Sequence, residues 1–344
     1  MNFGKSNVQP VKTKNFNRGG YSWVDVFKLA MSFLVVNIHT QTITNTTVPT
    51  FMSCLLNSAV PFFFMVTGFF LGKKITTHDD TIVFSRDVLL SSTRHMLILY
   101  IVWYLLYVPS ILFFPGAKDD SLFEIIVKIP VAFLVTGKYG YGTILWYILA
   151  SLTGIIIIFV LSRLKLRLTT IFAISVILYI LGIMLKSSGL DTIISNTYLK
   201  LYPNNDNGLF KGFPFLMAGV MIWKLRSNIC KIWIAITLLV ISSALAIKGV
   251  PIYPYLFGVG FLILSLSLKS INIPNSIEIR KISTLVYLSH VYIYLFFFHF
   301  SAMLGYSMNY LSLSIPTFLV CCILGYLIIR LSNNEKFRLL NYLY

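Results

Sequence analysis

Apolar residues in this chain come in long runs, separated by short polar stretches. A bilayer's hydrocarbon core is crossed by roughly 20 mostly apolar helical residues. Ten runs fit that length, near 22–43, 51–72, 96–114, 144–162, 169–186, 209–224, 231–247, 252–269, 281–300 and 312–331. An eleventh run, 121–136, is shorter, carries Glu124 and Lys128, and ends close to Gly137. It reads as an interfacial or re-entrant segment. The pattern predicts an all-α polytopic membrane protein with about ten transmembrane helices. A basic tail, 1–20, precedes a transmembrane domain, 21–332, and a short tail, 333–344, follows it.

The polar stretches between the runs set the orientation. Cations cluster in the N-terminal tail (Lys5 to Arg18), then at Lys73–Arg94, Arg163–Arg167, Lys224–Lys231, Lys269–Lys281 and Arg330–Arg338. These segments lie on one side if the chain crosses ten times, and they hold about 20 of the 28 Lys and Arg. The other side holds Lys118, Lys128, Lys138, Lys186, Lys200, Lys211 and Lys248. Lys and Arg are enriched on the cytoplasmic side, so both termini are predicted to be cytoplasmic. The tail 1–20 lacks the apolar core of a cleavable signal peptide.

Composition narrows the class further. Only 11% of residues are charged, against 57% hydrophobic, and the mean hydropathy is +0.81. Soluble domains carry about 25% charged residues, which excludes an ordinary water-soluble globule. Disorder requires low hydrophobicity and is excluded too. The net charge of +17 is spread along membrane edges rather than over a polar domain, so nucleic acid is not an expected partner. The partner implied directly is the bilayer. Cys54, Cys230, Cys321 and Cys322 lie in or beside apolar runs, with neither metal spacing nor a disulfide framework. No metal is expected.

Charge is costly inside a spanning helix, so the polar residues within the first run stand out. Lys28 and His39 are eleven positions apart, close to three helical turns, and face the same way. Asp25 and Ser32 fall near the same stripe, while Asn37 points to the opposite side. The axial distance from Lys28 to His39 is about 16 Å at a rise of roughly 1.5 Å per residue. Two meanings stay open for this stripe. Lys28 snorkelling to head groups and His39 bonding a carbonyl would be structural. A cation near one face and a titratable base deep in the protein would be catalytic.

His290 shares a face of the ninth run with Tyr287 and Tyr294 and is a second candidate. His299 and His95 read as interfacial, and His78 falls in a loop. Trp146 beside Tyr147 reads either as an aromatic belt or as part of a site. Gly68 reads first as a close helix contact.

A basic residue, ten residues and then His, as in Lys28 to His39, resembles the signature of the acyltransferase-3 family of integral membrane acyltransferases. Val60-Pro-Phe-Phe-Phe-Met-Val-Thr-Gly-Phe-Phe-Leu71, Leu145-Trp146-Tyr147, Gly208-Leu-Phe to Gly219, and Tyr287-Leu-Ser-His290 resemble the family's later elements, in family order. Lys28 stands where Arg is usual, which keeps the charge but loses the bidentate fork. Arg94 alone stands for a paired arginine, and Ile144 for a frequent His. The run around Pro61 and the segment Asn207-Gly-Leu-Phe210 are especially similar to the membrane half of vancomycin-resistance serine racemases. That half is linked to serine uptake, and no racemase domain is expected here.

The resemblance implies transfer of an acyl group, acetyl above all, from cytoplasmic acyl-coenzyme A to a hydroxyl of a cell-surface or extracellular glycan, free or lipid-linked. His39 would be the general base, and Lys28, toward the cytoplasmic end, the second catalytic residue. Arg94, Asp25, His290 and Trp146 would bind substrate or coenzyme A. The expected location is a bacterial plasma membrane, crossed many times. The alternative is a multi-span transporter or flippase for a small polar solute such as an amino acid, with Asp25, Lys28, His39 and His290 along its path.

Overall fold

A computed structural model of the chain describes residues 21–78, 80–113, 121–138, 140–187, 202, 205–269, 273 and 275–344. The basic tail 1–20, Lys118 and Lys200 lie outside the described residues. Eleven α-helices fill the rest: α1 Ser22–Ile43, α2 Thr50–Lys74, α3 Arg86–Tyr107, α4 Leu122–Val131, α5 Trp146–Arg163, α6 Leu168–Ser187, α7 Phe213–Ile229, α8 Ile232–Ile247, α9 Tyr253–Ser267, α10 Ser276–Met303 and α11 Tyr310–Ser332. Among the described residues, eight helical stretches are long and apolar enough to cross a membrane. The seventh and eighth predicted spans are apolar but shorter helices, α8 with 16 residues and α9 with 15. The chain is therefore an all-α, multi-pass membrane protein, and each of the ten runs has become a helix.

Large apolar side chains such as Leu105, Val160 and Ile323 stay exposed around the bundle, as lipid-facing residues do. The interior is aromatic: Phe62, Phe64, Phe69, Phe213 and Phe215 are all but fully buried. At the centre α2 crosses α7 with backbones almost touching. A Cβ on Gly68 would stand 2.0 Å from the Leu216 carbonyl oxygen, and one on Gly219 would stand 2.0 Å from that of Met65. Glycine is required at both, because lipid offers no hydrophobic force between helices and close backbone approach supplies the contact energy instead. The close-contact reading of Gly68 holds.

Contacts between loops recover the alternation of the cations. Trp23 Nε1 donates to the Lys269 carbonyl at 3.0 Å, so the start of α1 lies beside the end of α9. Lys224, near the end of α7, pairs with Asp80, whose oxygens also accept from Leu168 N–H and Thr169. Lys281 lies 4.4 Å over the Tyr344 ring. These cation-rich segments gather at one end of the bundle. α5 and α7 both start at the other end.

Three local features differ from the sequence expectation. The third helix begins at Arg86, ten residues before its apolar run, because Ser85 caps it and accepts from Val88 N–H at 3.3 Å. Arg94 is thus inside α3 and not at its entry. A two-stranded hairpin, β1 Thr76–His78 and β2 Thr81–Val83, adds a small antiparallel element. The segment after α11 is a 3₁₀ helix, Glu335–Leu343, which folds back so that Trp103 Nε1 donates to the Leu343 carbonyl at 3.0 Å.

A Ser121–Glu124 capping box starts α4, which then widens into a π turn at Ala132–Thr136. Tyr104 and Tyr100 of α3 donate to the Ile129 and Phe133 carbonyls, each at 2.6 Å, so the segment runs back down along α3. Gly137, at φ 65°, ends it in the left-handed region. A 3₁₀ stretch, Gly140–Leu145, then leads into α5.

Candidate active site

The polar stripe of α1 faces α10. At one end Arg280 holds the buried Asp25 carboxylate with two donors, Nε at 2.8 Å and Nη2 at 3.1 Å. Asp25 is 2% exposed, whereas the Arg280 side chain is 44% exposed, so the pair sits at the edge of the packed interior. Ser32 turns back to the Leu29 carbonyl at 2.7 Å. Lys28 is half-buried and near enough to Asp25 and Arg280 to interact with both charges, yet it forms no ion pair with Asp25.

At the other end His39 meets His290, with ring centroids 5.1 Å apart. The Tyr294 ring stacks parallel to His39 at 6.5 Å, and Tyr287 stands 6.4 Å from His290. His290 is fully buried, while His39 is half-buried. The two contacts, Asp25 with Arg280 and His39 with His290, follow the same order on both helices. α1 and α10 therefore run in the same direction, as the first and ninth spans of a ten-span chain must.

The His290 tautomer follows from its partner. Nδ1 lies 3.0 Å from the Val286 carbonyl, and a carbonyl can only accept. Nδ1 therefore carries the proton, and Nε2 presents a lone pair. That Nε2 is buried and has no hydrogen-bond partner among the described residues. Buried polar atoms are nearly always paired, so an orphan of this kind marks a place for a substrate or a water. The geometry offers two imidazoles to one small volume, walled by Tyr287, Tyr294 and the Phe63 ring 5.7 Å from Tyr287.

Asn37 faces away from this pair, as its position on the wheel requires, and its Oδ1 accepts from Ser314 of α11 at 3.1 Å. Arg94 is exposed on α3 and makes no ion pair among the described residues. The structure does not bring it to the histidines. Trp146 opens α5 on the far side of Phe64, with ring centroids 5.8 Å apart. It is half-buried, and two lysines lie over it: Lys138 at 5.4 Å and Lys211 at 5.6 Å. Both lysines bind Asp206, Lys138 at 2.6 Å. Its neighbour Tyr147 reaches Thr67 at 3.1 Å and packs on Tyr287.

Two sets of residues escape sequence reasoning. Arg280 reads as one more topology-setting cation, and only its place on α10 reveals it as the partner of Asp25. Lys138 and Asp206 are 68 residues apart and carry no pattern. A faint signal exists at Asp206 and Lys211, which flank the Asn207 cap whose Oδ1 accepts from Leu209 and Phe210 N–H, each at 2.9 Å.

Comparison with known proteins bears on the whole chain. The acyltransferase-3 model, described as an acyltransferase domain, matches residues 21–328. An amino-acid racemase of Enterococcus faecalis is 30% identical over 209 residues, which is 58% of this chain and 27% of that protein. The chain thus spans about a quarter of the length of that curated relative. No solved structure matches. The match over 21–328 covers the stripe on α1, the glycine crossing of α2 and α7, and the histidine pair, and by it this chain belongs to the acyltransferase-3 family of integral membrane acyltransferases.

Proposed function

We propose that the chain moves an acyl group, acetyl as the smallest, from cytoplasmic acyl-coenzyme A to a hydroxyl of a cell-surface glycan, free or lipid-linked. The protein would work in a bacterial plasma membrane. The observation that carries this reading is the histidine pair, with the lone pair of His290 Nε2 unengaged inside a family whose members transfer acyl groups.

The chemistry then runs as follows. The acceptor hydroxyl enters beside the two rings. His39 takes its proton as the oxygen attacks the thioester carbonyl carbon, and His290 Nε2 accepts a hydrogen bond within the same volume. The carbon–sulfur bond breaks, and the imidazolium of His39 returns the proton to the leaving thiolate. Lys28 and Arg94 act at the cytoplasmic end, where the nucleotide of coenzyme A is anionic, with Lys28 beside Asp25 and Arg280. Trp146 lies on the acceptor side.

A second reading is passage of a small polar solute such as an amino acid. The name of the racemase relative and the charges held inside the bundle favour it. Purified protein in vesicles separates the two. With acetyl-coenzyme A outside and envelope glycan present, acyl label appearing on glycan supports the enzyme. Uptake of labelled serine without any acyl transfer supports the transporter.

A further inference from the structure

A cavity of about 370 Å³ lies between the π turn Ala132–Thr136, the start of α5 and a second π turn, Gly208–Gly212. That volume falls within the range of small-ligand sites, roughly 300 to 1,000 Å³. Both π turns line it, and π turns inside helices recur at functional sites. Trp146, Ala150 and Asp206 line it too, with Leu134 and Leu209. The two leucines are exposed on helical stretches long and apolar enough to cross a membrane, so the cavity opens at the lipid-facing perimeter of the bundle.

Asp206 is the charged residue on the cavity wall, and its surroundings say what it can accept. Lys138 and Lys211 each give it one hydrogen bond, and neither lysine lines the cavity. Burial alone would raise the Asp206 carboxyl, but the charges of Lys211 and Lys138 hold it below its ordinary value. It is therefore ionised and can only accept. A carboxylate offers about four acceptor positions, and among the described residues the lysines take two. An anion in the cavity faces this carboxylate and not the lysines. A cation joins two ammonium groups that already outnumber the single carboxylate. A neutral hydroxyl meets neither repulsion, and its O–H is a donor for the spare positions.

The carboxylate is also within electrostatic reach of Tyr287. The Tyr287 ring stands beside His290, and its hydroxyl donates to the Ile144 carbonyl at 2.9 Å, two residues before Trp146. The cavity therefore borders the tyrosine wall of the histidine site.

We propose that this cavity seats an uncharged, hydroxyl-bearing sugar unit, with a hydroxyl donating to the Asp206 carboxylate and the apolar face of the sugar against Trp146 and Ala150. That the unit belongs to the acceptor rests on the acyl-transfer reading. The choice of a neutral polyol over an anion or a cation is read from the cavity alone.

The test is thermal melting of the full chain in a neutral detergent without a sugar head group, with equal concentrations of methyl glucoside, glucuronate or glucosamine. Methyl glucoside is expected to raise the melting temperature by about 2 °C or more, with little effect from the other two. The variant K138M/D206L/K211M removes the acceptor without stranding a buried charge, and it is expected to lose the shift. If that variant does not fold, D206N serves instead: its amide oxygen keeps only two lone pairs, which the lysines take, so the shift is again expected to vanish. No shift with methyl glucoside, an equal shift with glucuronate or glucosamine, or a shift retained by the folded variant overturns the proposal. Melting reads binding without turnover, so this result is separate from the failure of acyl transfer, which label from acetyl-coenzyme A reports.

Discussion

His39 and His290 come from helices that run the same way, and their ring centroids stand 5.1 Å apart. The Nε2 of His290 is buried with a free lone pair, because Nδ1 is committed to the Val286 carbonyl. The pair exists because α1 and α10 are zipped at two levels, by Asp25 with Arg280 below and by the rings above. Both contacts hold α1 and α10 in one register, in which the imidazoles meet.

The two halves of the ion pair should not be equivalent. Arg280→Ala strands a buried carboxylate, and breaking a buried pair in that way costs roughly 3–5 kcal/mol. Asp25→Ala leaves a guanidinium that is already 44% exposed and can turn to water. The expected melting temperatures in detergent are therefore lowest for Arg280→Ala, and an equal or larger loss for Asp25→Ala contradicts the asymmetry.

In the proposed reaction His290 acts through Nε2 and not only by filling space. In His290→Gln the side chain has a similar reach but no basic nitrogen. Acyl transfer is expected to fall about 10²-fold or more while the melting temperature stays within a few degrees. Unchanged transfer in a folded His290→Gln protein removes it from the site.

Loop closure at the cation-rich end should respond to acid. Hydrogen bonds from Lys224 and then Thr169 hold the Asp80 carboxyl below its ordinary value. A carboxyl depressed in the folded state contributes stability that is full above its unfolded pKa, about 3.9, and is lost as pH falls through the lower folded value. Proteolysis of the hairpin Thr76–Val83 is expected to quicken only as pH drops below about 4. Asp80→Asn should show the faster cleavage already at neutral pH, and identical pH profiles for the two proteins contradict the clasp.

The α2–α7 crossing admits no side chain at Gly68. Gly68→Ala places a methyl 2.0 Å from the Leu216 oxygen, so the helices must part. Overpacking of this kind costs about 1–3 kcal/mol. A melting temperature equal to that of the unsubstituted protein contradicts the packing described.

Much of this architecture is legible in the sequence, and for a physical reason. Spanning helices are local: their length, their apolar content and the cations at their ends lie in contiguous residues, so ten runs became ten helices. The stripe Asp25, Lys28, Ser32, His39 is equally local, since one helix sets its geometry. The site's other half is not local. Arg280 faces Asp25 across 255 residues, and Lys138 reaches Asp206 across 68, so neither pairing leaves a spacing to read. α3 starts ten residues before its apolar run because a polar cap, Ser85, and not hydropathy, begins it. Arg94 then falls on an exposed face instead of at a helix entrance. Trp146 reads from the sequence either as a belt residue or as part of a site, and the two lysines over it are a contact that no spacing announces.

In the proposed reaction His39 takes the proton of the acceptor hydroxyl. The direct measurement is incorporation of label from acetyl-coenzyme A into envelope glycan by membranes carrying either the unsubstituted protein or His39→Gln, at matched amounts of inserted protein. Incorporation is expected to drop by about 10²- to 10⁴-fold in His39→Gln, with the melting temperature preserved. Full incorporation by inserted, folded His39→Gln means that His39 does not take that proton.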